Sequence, residues 1–224
     1  NIHKYTHNYP HCWRTDKPIL YYPLDSWFIR ASDYRERMAE LNKTIYWKPA
    51  STGEGRFGNW LENLNDWNLS RSRYWGTPLP LWRTADGSEE VCIGSIQELK
   101  EAIQNALSSG VITAEQTAQN EAFLVKLGDD TFDLHRPYID YVTLVSASGK
   151  PMLRELDLID VWFDSGAMPY AQWHYPFALN SLKGQFPADF IAEGVDQTRG
   201  WFYTLHAIAV MLFDSVAFKT VVSN

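Results

Sequence analysis

The chain has 224 residues, 45% of them apolar and 21% charged, with a formal net charge of −7, which fits one large domain or a core carrying an inserted subdomain. The acidic balance excludes a surface that attracts nucleic acid as a whole, so any RNA contact must come from local basic clusters. Two cysteines, Cys12 and Cys92, exclude a disulfide framework and suit a reducing cytoplasm. The most apolar run, residues 207–213, is too short to span a bilayer, and no signal peptide is read at the start. Ten Trp and an aromatic content of 15% predict a deep pocket or a domain junction, because an indole buries well only against other large surfaces.

Residues 1–14 alternate His with aromatics (His3, Tyr5, His7, Tyr9, His11, Trp13), which predicts an extended segment. Ile19 to Tyr22 and Trp27 to Ile29 read as two strands bent at Pro23. Ser32 or Asp33 is placed to cap a helix through Leu41. Lys48 to Gly58 holds Pro49, Gly53, Gly55 and Gly58 and is expected to be a loop. Gly53 and Gly55 are not a dinucleotide fingerprint, since no strand leads into them in the right register.

Phe57, Trp60, Leu61 and Leu64 then fall at helical spacing. After them Arg71 and Arg73 stand beside Tyr74 and Trp75, a pairing of guanidinium forks with stacking surfaces that suits a phosphate backbone and an unpaired base. The alternative is that both Arg pair with carboxylates such as Glu62 and Asp66. Trp82 to Ser95 reads as a hairpin turned at Asp86-Gly87. Ser95 to Glu98 and Thr113 to Gln116 are capping-box patterns opening two helices, the first closing near Gly110 and the second at Gly128. Residues 83–133 are therefore expected to form an inserted hairpin plus helical hairpin, with residues 1–82 a connective and core segment and 134–224 the second half of an α/β core. Tyr141 to Val145 and Met152 to Glu155 read as strands. His135 and Arg136 either reach RNA or close this junction. Trp162 and Phe163 follow, bounded by Asp160 and Asp164, and by themselves read as core. Residues 166–177 form an aromatic turn or helix.

The stretch from Phe186 to Asn224 organises the rest. Asp189 to Glu193 reads as a short buried strand and Gly194 to Gln197 as a tight polar turn. Trp201, Leu205, Ile208, Ala209 and Leu212 mark one face of a helix, and Phe218 to Val222 the next strand. Strand, helix and strand in this order make a right-handed βαβ unit. Ligands of such sheets sit beyond the carboxyl ends of the strands, where Glu193, Asp196 and Gln197 fall. Two carboxylates and an amide there suit an ammonium group and hydroxyls. The plainer alternative makes Asp196 a helix cap and Glu193 a solvated strand end.

The run Glu193-Gly194-Val195-Asp196-Gln197-Thr198-Arg199-Gly200-Trp201-Phe202 resembles a signature segment of the isoleucyl-tRNA synthetases. Trp67 to Gly76, Asp160 to Gly166, and Pro10-His11-Cys12-Trp13-Arg14 agree with the same family in the same order. The valyl and leucyl relatives differ at Asp196-Gln197 and at Arg199-Gly200-Trp201, and remain the alternative within the family. The resemblance implies an α/β fold: the second half of a Rossmann-like class I synthetase catalytic domain with an inserted α+β connective subdomain. It implies a cytoplasmic ligase that joins isoleucine and ATP into isoleucyl-adenylate, with Mg2+ accompanying ATP in the full enzyme, and passes the isoleucyl group to tRNA(Ile). It implies that Glu193 and Gly194 meet the adenylate, that Asp196 and Gln197 orient its polar end, and that Trp162 and Trp201 hold the aliphatic side chain. None of these is a nucleophile, so the chemistry rests on positioning and charge stabilisation.

Departures from the family pattern set further expectations. Some members hold zinc near Cys12 through a Cys-x-x-Cys pair, but position 15 is Thr, which leaves His7, His11 and Cys12 short of a tetrahedral set, so no zinc is expected. The His-x-Gly-His and Lys-Met-Ser-Lys-Ser phosphate-handling signatures and the editing signatures are missing. Both ends read as cut, and the segment alone is expected neither to activate isoleucine nor to edit. No membrane and no obligate protein partner are expected. Outside the family, ten Trp leave open a non-catalytic aromatic module for sugars or RNA.

Overall fold

Apolar side chains sort into two buried clusters. One is built from Met38, Trp47, Phe57, Leu61, Phe202, Leu205 and Phe218, the other from Trp82, Leu99, Ile103, Phe123, Leu144 and Met152. The structure is a computed structural model that describes residues 2–127, 132–178 and 182–224. The expected helix stop at Gly128 and the opening Asn1 lie outside the described residues.

The first cluster starts with β1 (Phe28–Ile29), a 3-10 turn at Ala31–Tyr34, α1 (Arg35–Asn42) and β2 (Tyr46–Lys48). Among the described residues no strand forms over 19–22, and these side chains lie exposed. Neither Ser32 nor Asp33 caps α1. Ser32 instead gives its backbone N–H and its hydroxyl to Asp66 Oδ1, at 3.1 and 2.6 Å. The glycine-rich stretch expected as a loop is helical, a π-helical turn at Thr52–Phe57 running into α2 (Gly58–Glu62). Tertiary contact overrides the glycine penalty here. A Cβ at Gly53 would stand 2.2 Å from Trp47 Cδ1. The Asn42 amide donates to Gly53 O at 3.0 Å and accepts from Trp47 Nε1 at 2.8 Å. Short strands β3 (Trp67–Asn68) and β4 (Ser70–Arg71) follow, β3 pairing with β1.

The second cluster fills the inserted unit. Its strands are β5 (Leu81–Thr84) and β6 (Glu90–Cys92), then, after helices α3 (Ile96–Ser109) and α4 (Ala114–Lys126), β7 (Thr143–Val145) and β8 (Pro151–Arg154). They form one antiparallel sheet in the order β6-β5-β8-β7. The unit therefore runs on past residue 133, because β8 pairs directly with β5 and cannot be assigned to the α/β core. Both helix starts follow the capping pattern: the Ser95 side chain accepts from Glu98 N, and Thr113 and Gln116 form a reciprocal capping box. Gly110, at φ +69°, closes α3 in the left-handed region.

The chain returns through β9 (Leu158–Ile159), paired with β4, into α5 (Val161–Gly166) and α6 (Met168–Ala171). It ends with β10 (Ala188–Glu193), a 3-10 turn at Val195–Arg199, α7 (Trp201–Phe213) and β11 (Phe218–Ser223). β10, β11 and β2 form a parallel sheet in that order, the βαβ unit the sequence predicts, with a third strand drawn from residues 46–48. Two expectations are corrected. Among the described residues β10 has β11 as its one neighbour and is mostly exposed, where a buried strand was expected. α7 is buried on all sides from Phe202 to Val210 rather than along one stripe, while Leu212 lies exposed. The cause is packing against α1 and α5 as well as the sheet. At the α5 crossing a Cβ on Gly166 would come within 2.9 Å of the Thr204 backbone.

Candidate functional site

The site is built where β10 ends. Gly194 is extended (φ −63°, ψ 153°), and the Asp196 carboxylate lies over it, with Oδ1 2.5 Å from where a Cβ would stand. The next residues turn sharply: Gln197 N donates to Gly194 O at 3.0 Å and Gly200 N to Gln197 O at 3.1 Å. The neighbouring strand grips the turn, with Val195 N donating to Asn224 O at 2.8 Å and Asn224 N to Glu193 O at 3.1 Å. Gln197 Nε2 donates to Asp196 Oδ2 at 3.0 Å, and Gln197 Oε1 accepts the Trp201 backbone N–H at 2.9 Å. Gln197, not Asp196, therefore caps α7. Glu193 and Asp196 are left exposed at the carboxyl edge of the sheet. Glu193, Gly194, Asp196 and Gln197 are thus brought together.

Two indoles wall the same end. Asp160, 4% exposed, caps α5 by accepting from Trp162 N at 3.3 Å, and it also accepts Trp67 Nε1 at 3.0 Å and Arg71 Nη2 at 2.7 Å. Trp162 is 41% exposed, so it is not the core residue its surroundings in sequence suggest. Its ring lies over Gly200: a Cβ there would be 3.3 Å from Trp162 Cη2. Trp201 opens α7 and donates from Nε1 to Ser165 O at 3.2 Å, which ties it to the helix that carries Trp162. Both indoles therefore border the turn that bears Asp196 and Gln197. Burial pushes the Asp164 carboxyl above the usual range, the Asp160 charge adds to this, and a hydrogen bond from Thr77 opposes it.

The two arginines separate. Arg71 turns inward to Asp160 and to the carbonyls of Asn68 and Ser70, at 2.8 and 2.9 Å. Its carboxylate partner is thus neither Glu62 nor Asp66. Arg73 stays exposed, with one 3.3 Å bond to Ser72 O. Beside it Trp75 stacks on His135 (ring centroids 4.4 Å apart, 14° between planes), and the Arg136 guanidinium lies 5.7 Å from the centre of the Tyr74 ring. Asp160 as the shared anchor, and His135 as the partner of Trp75, are what reading the sequence missed. The Asp before an apolar Val-Trp-Phe run was a legible capping signal for the first, and nothing local marked the second.

Among the described residues no group of three or more His, Cys, Asp or Glu stands ready to hold a metal. Among the same residues no helix is long and apolar enough to cross a membrane. Trp47, Trp67 and Trp82 are buried, while Trp13, Trp75, Trp162 and Trp173 are exposed.

The family model for class I tRNA synthetases (I, L, M and V) matches residues 15–224. The chain is 68% identical over 224 residues to the isoleucine–tRNA ligase of Cytophaga hutchinsonii, covering 100% of this chain and 19% of that protein. It is 64% identical over 230 residues to the isoleucine–tRNA ligase of Bacteroides thetaiotaomicron (100% of this chain, 20% of the relative). With the enzyme of the same name from Thermus thermophilus it shares 48% identity over 221 residues (98% and 19%). The chain spans about a fifth of the length of these curated relatives.

Proposed function

The chain belongs to the class I tRNA synthetase family, and we propose that in its full-length protein it supplies part of the adenylate and side-chain pocket of a cytoplasmic isoleucine–tRNA ligase. The parent reaction joins isoleucine and ATP into isoleucyl-adenylate with release of pyrophosphate, then transfers the isoleucyl group to tRNA(Ile). The observation that carries this reading is the meeting, at one sheet edge, of two exposed carboxylates and a fixed amide with two indoles. Glu193 accepts hydrogen bonds from the ribose hydroxyls. Asp196 takes the α-ammonium group, and Gln197, its side chain already held at both ends, fixes where that carboxylate sits. The missing side chain at Gly194 lets the adenylate approach the backbone. Trp162 and Trp201 offer flat apolar walls that suit a branched aliphatic chain and exclude water. None of them attacks a bond, so their contribution is orientation and charge. In the full-length protein ATP arrives with Mg2+.

Calorimetry with a non-hydrolysable isoleucyl-adenylate analogue and the full-length protein tests this. Because Trp162 is half exposed, Trp162→Ala should weaken binding about tenfold or more while leaving the melting temperature near wild type. Unchanged affinity in that variant would remove the indole from the pocket. The relatives at 64 and 68% identity favour isoleucine over valine or leucine, so the valyl analogue should bind less tightly.

For tRNA, the reading centres on Arg73 with Tyr74 and Trp75, an exposed cation beside stacking rings. Arg71 acts behind it, holding the loop to Asp160. Arg73→Ala should raise KM for tRNA several-fold with isoleucine activation intact. A change in thermal stability alone would make Arg73 structural.

A further inference from the structure

The π-helical turn at Thr52–Phe57 has no place in the reading above, yet it meets the site turn from behind. Arg56 projects from it and donates Nε to Thr198 Oγ1 at 3.0 Å. Thr198 is 0% exposed, and the same hydroxyl donates to Val195 O at 2.8 Å. One buried oxygen thus closes the 3-10 turn and receives the guanidinium. The base from which Arg56 projects is itself fixed on three sides. Asn42 holds Gly53 O, Trp47 occupies the space a side chain at 53 would need, and Ser223 Oγ donates to Thr52 Oγ1 at 3.0 Å at the end of β11. Among the described residues Arg56 forms no ion pair, so its hydrogen bond to Thr198 is not diverted to a carboxylate. π-Helical turns cost backbone regularity and recur at functional sites.

We infer that Arg56 is a positioning residue for the site: it braces Thr198, and through Thr198 the turn that aims Asp196 and Gln197. The inference deepens the adenylate reading and rests on it for its effect on catalysis, whereas the brace itself is a property of the fold. Loosening the turn weakens ground state and transition state alike, so the loss falls on KM rather than kcat. A charged donor to a buried hydroxyl sets the scale at about tenfold.

The experiment uses the full-length protein and the variants Arg56→Met, Thr198→Val, Thr198→Ser and the double variant Arg56→Met/Thr198→Val. Two readouts are taken: isoleucine-dependent ATP–pyrophosphate exchange, and hydrogen–deuterium exchange over residues 195–200. Arg56→Met and Thr198→Val should each raise KM for isoleucine about tenfold with kcat within about twofold, and Arg56→Met should leave the melting temperature unchanged. Thr198→Ser, which keeps the hydroxyl, should restore wild-type KM. The double variant should be no worse than Thr198→Val alone, since that change already removes the bond to Arg56 along with the one to Val195 O. Amides 195–200 should exchange faster in Arg56→Met and Thr198→Val. Wild-type exchange rates there in Arg56→Met, an exposed site that leaves the fold intact, would overturn the brace. Additive KM effects would overturn it as well. If the wild-type protein shows no isoleucine-dependent exchange, the adenylate reading fails, and the amide data still decide on the brace.

Discussion

The two larger sheets among the described residues treat their polar groups in opposite ways. In the inserted antiparallel unit the buried polar side chains are fully committed. The Asn120 amide, 0% exposed, donates to Thr143 O and accepts from Thr143 N, at 2.7 and 3.0 Å, standing in for a strand neighbour along β7. Arg154, its side chain fully buried, is gripped by Asp140 and by the carbonyls of Leu79 and Asp157, while Asp140 also holds Arg136 at 2.8 Å. The parallel sheet instead ends in carboxylates held by few internal partners, with the amide between them pinned. A region whose polar groups are spent internally is a stiff part. A region that presents them on a rigid edge is a binding part. On the proposed function, the inserted unit contributes shape and placement and the core contributes the exposed carboxylates at its sheet edge.

The sharpest way to break this contrast is to open the inserted unit's ion network. Asp140→Ala strands the buried Arg154 charge and should cost about 3–5 kcal/mol in denaturant unfolding, whereas Glu193→Gln, at the exposed edge, should stay within about 0.5 kcal/mol of wild type. A loss of similar size in both variants would erase the distinction.

Next in size is an acid effect located in the core. Burial pushes His206 down to about 4 from an ordinary 6.5, against the opposing pull of its bond to Met38 O at 2.9 Å. The unfolded chain therefore takes up a proton first as pH falls. The contribution is complete above pH 6.5 and is lost as pH drops towards 4, a change of about 3 kcal/mol that His206→Gln should flatten. Denaturant midpoints measured across that range read it directly.

The smallest effect is local to α4. Thr113→Ala removes the capping box and should cost about 1 kcal/mol while leaving adenylate-analogue binding untouched. Weakened binding would mean that the inserted unit communicates with the site.

Legibility followed the range of the forces involved. The starts of α3 and α4 were readable because their caps close within one turn: the Ser95 hydroxyl accepts from Glu98 N while the Glu98 carboxylate accepts from Gly94 N, and Thr113 and Gln116 satisfy each other. The βαβ unit was readable because its apolar runs are bounded locally by the turn at 194–200 and by Asp214-Ser215, although the expected stripe of α7 and the expected burial of β10 were not found. The glycine-rich π-helical turn was not, since its cause is Trp47 lying against Gly53 and Asn42 reaching across to it. Arg71 was left between two readings because its partner Asp160 lies 89 positions along the chain. The extent of the inserted unit was misjudged for the same reason: β8 belongs to it only through pairing with β5.

The parallel sheet is also discontinuous in sequence. Its central strand, β11, pairs with β2 by setting Thr220 against Tyr46, roughly 170 residues apart, a closure whose entropy slows assembly. Everything in the inserted unit is synthesised between those two partners and draws on nearer contacts. During translation, then, the insertion can be finished while its host still waits for the strand at its middle. β2 cannot pair with β11 until the ribosome has released that strand, and the nascent chain must keep the β11-facing edge of Tyr46 and Trp47 from wrong partners over that interval.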